Sequence, residues 1–144
     1  MSENLECLKF TYLVEGENFD GAGAASEDTK ARLKRLGVSK EVIRKVAISM
    51  YEAEINMVIH ACGGKVYVDI YADRVEVLLV DEGKGIENIE LAMQPGWSTA
   101  GEEIRDMGFG AGMGLPNIKK YTDEFKIESE VGKGTKVFLK VNFN

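Results

Sequence analysis

Cysteine and proline are scarce here, with two of each among 144 residues, and there is a single histidine and a single tryptophan. Cys7 and Cys62 form no CxxC pair and no metal-ligand spacing, which argues against a zinc site, a dithiol redox motif or a disulfide framework. They read as small, half-buried apolar side chains in a reducing compartment. No apolar run approaches the ~20 residues that cross a bilayer, and the N-terminus lacks a basic-then-apolar leader pattern. A cytoplasmic protein with no membrane contact is therefore expected. Basic charge is also short, with 18 Lys and Arg against 24 Asp and Glu and a net charge of -6. No basic stripe forms, so nucleic acid is not an expected partner. The run from Lys30 to Arg35 is interrupted by Leu33 and followed by Leu36, as on the solvated face of a helix.

The remaining composition is that of a globular protein, 44% hydrophobic and 29% charged. Its length suits one domain, residues 1–144, with a core that needs no metal or disulfide staple. Leu5 to Val14 alternates apolar and polar residues as a half-buried strand does. After the small, Gly/Ala-rich stretch Asn18 to Ser26, a helix is predicted over Glu27 to Leu36, closed by Gly37. Ser39 caps a longer helix that runs to about His60. Gly63-Gly64 reads as a turn, followed by strands Lys65 to Tyr71 and Arg74 to Val80 about a tight turn at Ala72-Asp73. Asp81 to Gly114 then holds eight glycines and little regular pattern beyond a short helical candidate at Glu87 to Met93. A stretch of that kind inside a compact domain is usually functional. Pro116 suits the first turn of a helix from Leu115 to Asp123, and strands Phe125 to Glu130 and Thr135 to Phe143 close the chain. The predicted fold is α+β: a two-layer sandwich with a mixed, mostly antiparallel sheet and helices on one face.

Four segments carry candidate chemistry. Ser49, Glu52, Asn56 and His60 recur at helical spacing as one polar stripe, opposite Val46, Ala47, Met50 and Met57. Such a stripe is either a solvated face or, beside a cleft, a place to hold a metal or a water. Asp81-Glu82-Gly83-Lys84-Gly85 ends an apolar strand; its glycines allow close approach and its carboxylate can accept from an amino group, although a plain turn would read the same way. From Gly108 through Gly110, Gly112 and Gly114 to Leu115, a glycine at every second position leads into a helix N-terminus. Exposed N–H groups and the helix dipole make that an anion site suited to phosphate. The spacing is neither GxxxxGK[ST] nor GxGxxG. Gly132-Lys133-Gly134-Thr135 is adequately explained as a hairpin turn.

Taken together and in order, the segments resemble the motif set of the GHKL ATPases, the superfamily that includes histidine kinases and DNA gyrase. Glu52-x-x-x-Asn56 is similar to the N box, Asp81-x-Gly83-x-Gly85 to the first glycine box, the Gly108 to Leu115 run to the second, and Gly132-x-Gly134-Thr135 to the final Gly-Thr element. The segment from Trp97 to Thr99, and that from Gly114 to Phe125, resemble the switch-kinase members of the anti-sigma-factor branch. Those are serine/threonine protein kinases acting on small antagonist proteins. The resemblance implies ATP and Mg²⁺ as cofactors. It implies that Asp81 meets the adenine amino group with Gly85 and Thr135 beside it, that Asn56 binds Mg²⁺, and that Glu52 orients or deprotonates the attacking hydroxyl. Gly83, Gly108, Gly110, Gly112, Gly114 and Leu115 complete the implied nucleotide site, under a lid from Ile86 to Phe109. The implied partners are an antagonist-like protein substrate and a sigma factor or phosphatase, with a homodimer left open. No histidine-bearing helix precedes the domain, so an intact histidine kinase is not expected.

Phe109 and Met113 are bulky for a glycine box. No cation of the lid can be assigned to the terminal phosphate, and residues 21–26 have no derived role. Two other functions stay open beside the kinase. One is an ATP-gated module that sequesters or activates a regulatory partner without catalysis, and the other is the ATPase part of a larger machine.

Overall fold

Side-chain alternation builds the sheet. In the computed structural model, which describes residues 7–15, 23–60, 63–83 and 114–143, strand β2 (Gly63–Ile70) buries Val66, Val68 and Ile70 and exposes Lys65 and Tyr67. Strand β3 (Arg74–Asp81) buries Val75, Val77 and Leu79. The last strand, β5 (Gly134–Asn142), buries Thr135, Val137, Leu139 and Val141. Strands β1 (Leu8–Glu15) and β4 (Glu124–Glu130) flank these three in the order β1-β2-β3-β5-β4. Every described pairing is antiparallel. Short turns impose this direction on β2–β3 and β4–β5, while β1–β2 and β3–β5 pair antiparallel across longer stretches of chain, so no described pair shows the parallel component expected of a mixed sheet.

Three described helices supply the second layer: α1 (Ala24–Arg35), α2 (Lys40–His60) and α3 (Gly114–Tyr121). The central one, α2, packs between α1 and α3 and reaches β1, β2, β3 and β5. Its Val42, Ile43, Val46, Met50, Ala53, Met57 and Val58 enter one core with the inward sheet residues, and Leu115 and Ile118 of α3 join it. Tyr12 of β1 donates to Asp28 of α1 at 2.6 Å, and Arg32 pairs with the same carboxylate at 2.8 Å. No described helix is long and apolar enough to cross a membrane.

The helix ends follow local chemistry in one place and depart from it in another. Gly37, at φ 80°, donates to the Lys34 carbonyl while Val38 donates to Leu33, both at 3.1 Å, a Schellman stop for α1. Ser39 accepts from the Val42 N–H at 3.3 Å and caps α2, as expected. The start of α1, by contrast, is three residues earlier than Glu27. Its N-cap is Gly23, which offers no side chain, so the pattern that marks a helix start is missing. Gly63 and Gly64 also differ from expectation, since both belong to β2 and pair with Glu15 and Val14 of β1.

Candidate functional site

The polar stripe of α2 divides once the helix is packed. Ser49 is fully buried and its hydroxyl donates back to the Lys45 carbonyl, so it leaves the stripe expected for it. Ala47, expected in the core, is partly exposed. Glu52 and Asn56 remain half-buried, one turn apart and on one face. Burial pushes the Glu52 carboxyl above the ordinary glutamate range, while a hydrogen bond with the Asn117 side chain pulls it back. Asn117 lies in the first turn of α3, directly after Pro116. That bond links the Glu52 face of α2 to the helix at the end of the glycine run. Asn117 carried no spacing signal of its own and was not among the expected site residues. The side chain of His60 lies outside the described residues.

At the other end of β3, Asp81 is bound from two directions. Its Oδ1 accepts the Gly83 N–H at 2.9 Å and the Thr135 N–H at 3.1 Å. Both bonds fall on one oxygen, which leaves Oδ2 without a partner among the described residues. The approach of β5 depends on Gly134, which sits at φ 129°. A Cβ there would come 2.1 Å from the Asp81 carbonyl oxygen. Only glycine tolerates both the dihedral and the proximity. Thr135 is buried, and its hydroxyl lies 2.8 Å from that of Ser129 on β4.

Among the other expected site residues, Gly114 is the first residue of α3. Leu115 is 8% exposed and packs in the core, so its side chain serves the anchoring of α3. Gly85, Gly108, Gly110 and Gly112, the helical candidate at Glu87 to Met93 and the lid from Ile86 to Phe109 all lie outside the described residues. The structure thus brings Asp81, Gly83 and Thr135 together at one place, and Glu52, Asn56 and Asn117 along the α2–α3 side.

Sequence reasoning also missed Glu54. This carboxylate is 1% exposed and accepts N–H bonds from Gly23 at 3.0 Å, Ala25 at 3.3 Å and Ser26 at 2.7 Å. It therefore supplies from α2 the cap that α1 lacks. Burial raises its pKa, and the three backbone donors act in the opposite direction.

An antiparallel sheet under one helical layer, a strand-end carboxylate locked by backbone N–H groups and a Glu-x-x-x-Asn pair on the central helix together define a histidine kinase-like ATP-binding domain. The chain matches the family described as the histidine kinase-like ATPase domain over residues 21–141, and it belongs to that family. It is 36% identical over 148 residues to the anti-sigma F factor of Clostridium acetobutylicum, an alignment covering 99% of this chain and 96% of that protein. It is 31% identical over 108 residues to the serine/threonine-protein kinase RsbT of Bacillus subtilis, covering 72% and 75% of the two. Among solved structures, the RsbU and RsbW domains of Rv1364c from Mycobacterium tuberculosis match with a TM-score of 0.63 at 15% identity. That match covers 93% of this chain and 31% of the other, and it establishes the fold alone. The mycobacterial sensor histidine kinase MprB matches with a TM-score of 0.54 at 14% identity, over 94% and 97% of the two chains, again for the fold alone.

Proposed function

We propose that this protein is an ATP-dependent serine/threonine protein kinase that modifies a small antagonist protein in a partner-switching circuit. The observation that carries the reading is Glu52: a half-buried, desolvated carboxyl one turn before Asn56, on the helix that packs against α3. Phosphoryl transfer requires positioning, charge stabilisation and one base near the nucleophile. A carboxyl raised by desolvation suits that base better than a fully solvated one.

The donor set also fits the cofactors that the family implies. No group of three or more His, Cys, Asp or Glu among the described residues is arranged as a metal cage. Mg²⁺ needs no such cage, since it prefers hard oxygens and usually takes only one or two protein groups. The Asn56 amide oxygen is such a donor. When bound, Mg²⁺ and ATP supply the phosphoryl group and screen its charge. Asp81, its carboxylate fixed by the Gly83 and Thr135 N–H groups, would accept from the adenine amino group. The N-terminus of α3 at Gly114 and Leu115 would offer its backbone N–H groups and the positive end of its dipole to the phosphates. Glu52 orients the incoming serine or threonine hydroxyl and takes its proton.

Similarity to anti-sigma F factors favours a second output, the binding of a regulatory protein, with or without transfer. The test is transfer of label from radioactive Mg-ATP to an antagonist-like protein encoded nearby, with wild type and Glu52→Ala in parallel. Label on a serine or threonine, lost in the variant, supports the kinase. ATP binding with no transfer to any candidate would leave the nucleotide-gated binding module in its place.

A further inference from the structure

The outer face of α2 carries apolar residues that the core does not use. Arg44, Ala47, Ile48 and Tyr51 recur at steps of three and four, so they share one face. Ala47 and Ile48 are only partly covered, and Tyr51 is 38% exposed. Glu52 follows Ile48 by four residues, so the stripe leads to that carboxyl. Its other end is cationic. Helices α2 and α3 run antiparallel, with Asn117 at Glu52 and Tyr121 near Arg44. The Arg44 guanidinium lies 5.8 Å from the centre of the Tyr121 ring, and the Lys120 ammonium lies 5.3 Å from it. Arg44, Lys119 and Lys120 are exposed, and none of them forms an ion pair among the described residues. The carboxylates close by in sequence are engaged elsewhere: Glu41 lies 4.0 Å from Lys45, and Asp123 accepts the Asn142 N–H at 2.7 Å.

We propose that this face docks the protein that receives the phosphate: Ile48 and Tyr51 cover an apolar patch on it, and Arg44 with Lys120 holds one of its carboxylates. The proposal rests on the reading that Glu52 meets the acceptor hydroxyl, and it adds what the substrate must carry. Arg44 precedes Glu52 by two helical turns, about 12 Å at roughly 1.5 Å per residue. The substrate therefore presents a surface carboxylate about 12 Å from its serine or threonine, with apolar side chains between them. Apolar surface still in contact with water is what association can bury. The cations add steering and register, and they reject a partner with lysine or arginine at the same place. A net charge of -6 sets the chain as a whole against polyanions, so a local acidic group on a folded protein suits the cluster better than an anionic bilayer does.

The test is steady-state phosphate transfer from Mg-ATP to the antagonist-like protein encoded nearby, with KM for that protein, KM for ATP and kcat measured separately on the full chain. Wild type, Arg44→Glu, Lys120→Glu, Ile48→Ala and Lys126→Glu are compared, with the melting temperature as the control for folding. Lys126 lies on β4 outside the helical layer with its side chain 70% exposed, and its reversal changes the net charge as much as that of Arg44. Arg44→Glu and Lys120→Glu should each raise KM for the protein roughly tenfold, and Ile48→Ala roughly threefold, at near wild-type kcat and KM for ATP. Added salt should weaken wild type and narrow its lead over Arg44→Glu. Lys126→Glu should behave as wild type. A KM for the protein that Arg44→Glu and Ile48→Ala leave unchanged, or that Lys126→Glu raises as much, would overturn the proposal. An unchanged KM joined to loss of self-association, or of binding to phosphatidylglycerol vesicles, would overturn it and give the face another occupant. A wild type that binds the antagonist but transfers no phosphate would instead overturn the kinase reading, and calorimetric affinities of the same variants would then decide the docking face. A wild type that neither binds nor phosphorylates it would overturn both.

Discussion

Glu52 and Glu54 stand two residues apart on α2 and meet opposite surroundings. A step of two residues turns a helix by about 200°, so the two carboxyls leave from nearly opposite faces. Glu54 points toward α1, where three backbone N–H groups converge on it and 1% of its surface remains exposed. Glu52 points toward α3, half-buried, with the Asn117 side chain as its hydrogen-bonding neighbour. Both pKa values are raised by burial, so the shift alone does not separate structure from chemistry. The partners do. A carboxylate saturated by backbone donors holds a fold together, whereas one with spare lone pairs and partial exposure can still meet a substrate.

The largest effect that would test this contrast is on catalysis. Glu52→Ala should slow phosphate transfer by about 10²-fold or more, the scale of a lost general base. ATP affinity should stay near wild type and urea stability should not fall, because no backbone group depends on Glu52 in the way α1 depends on Glu54 and its ionised carboxyl is itself held at a desolvation cost. A variant that transfers phosphate normally would remove Glu52 from the chemistry.

Glu54→Ala should do the reverse. It strands three donors at the start of α1 and should cost on the order of 3 kcal/mol in urea-unfolding free energy. Glu54→Gln, which keeps an acceptor oxygen, should cost less. Equal stability of Glu54→Ala and wild type would mean that α1 does not rely on this cap.

The pH dependence of stability follows from the same pair. Both folded-state carboxyls lie above the ordinary glutamate value of 4.5, so near that pH the folded protein retains protons that the unfolded chain has released. Stability of the nucleotide-free protein should therefore fall as pH rises from 4.5 through the raised folded values, then level off. The slope is at most about 1.4 kcal/mol per pH unit for each proton. Glu54→Gln and Glu52→Gln should each remove their own share of it, measured by urea unfolding at a series of pH values. A slope unchanged in both variants would assign it to other groups.

The smallest effect is expected from Asn117→Ala. It removes one hydrogen-bonding partner of a half-buried carboxyl, worth about 1 kcal/mol or less. Transfer should slow by several-fold at unchanged KM for ATP, because Asn117 acts through Glu52. A change confined to KM would instead place Asn117 against the nucleotide.

Much of the architecture is legible in the sequence alone. Alternation marked β1, turn residues bracketed β2, β3, β4 and β5, Gly37 and Ser39 marked the boundary between α1 and α2, and Pro116 marked the entry to α3. These signals are local, since a strand face, a Schellman glycine and a capping serine each act within a few residues of themselves. The start of α1 was not legible because its cap is 31 residues away in sequence. Ser49 was misplaced for a related reason: helical spacing groups residues on a face but does not say which face the neighbouring helices and sheet cover.

The site divides along the same line. By itself, the sequence determined that Glu52 and Asn56 share a helix face, that Asp81 ends a strand and that Thr135 follows a turn, because backbone periodicity alone sets those relations. Only the tertiary structure decided that the Thr135 N–H and the Asp81 carboxylate meet, that Ser129 faces Thr135, that Asn117 reaches Glu52 and that Glu54 caps another helix. Each of those contacts joins two elements whose register is set by packing of the whole core, and no local pattern encodes a distance between elements.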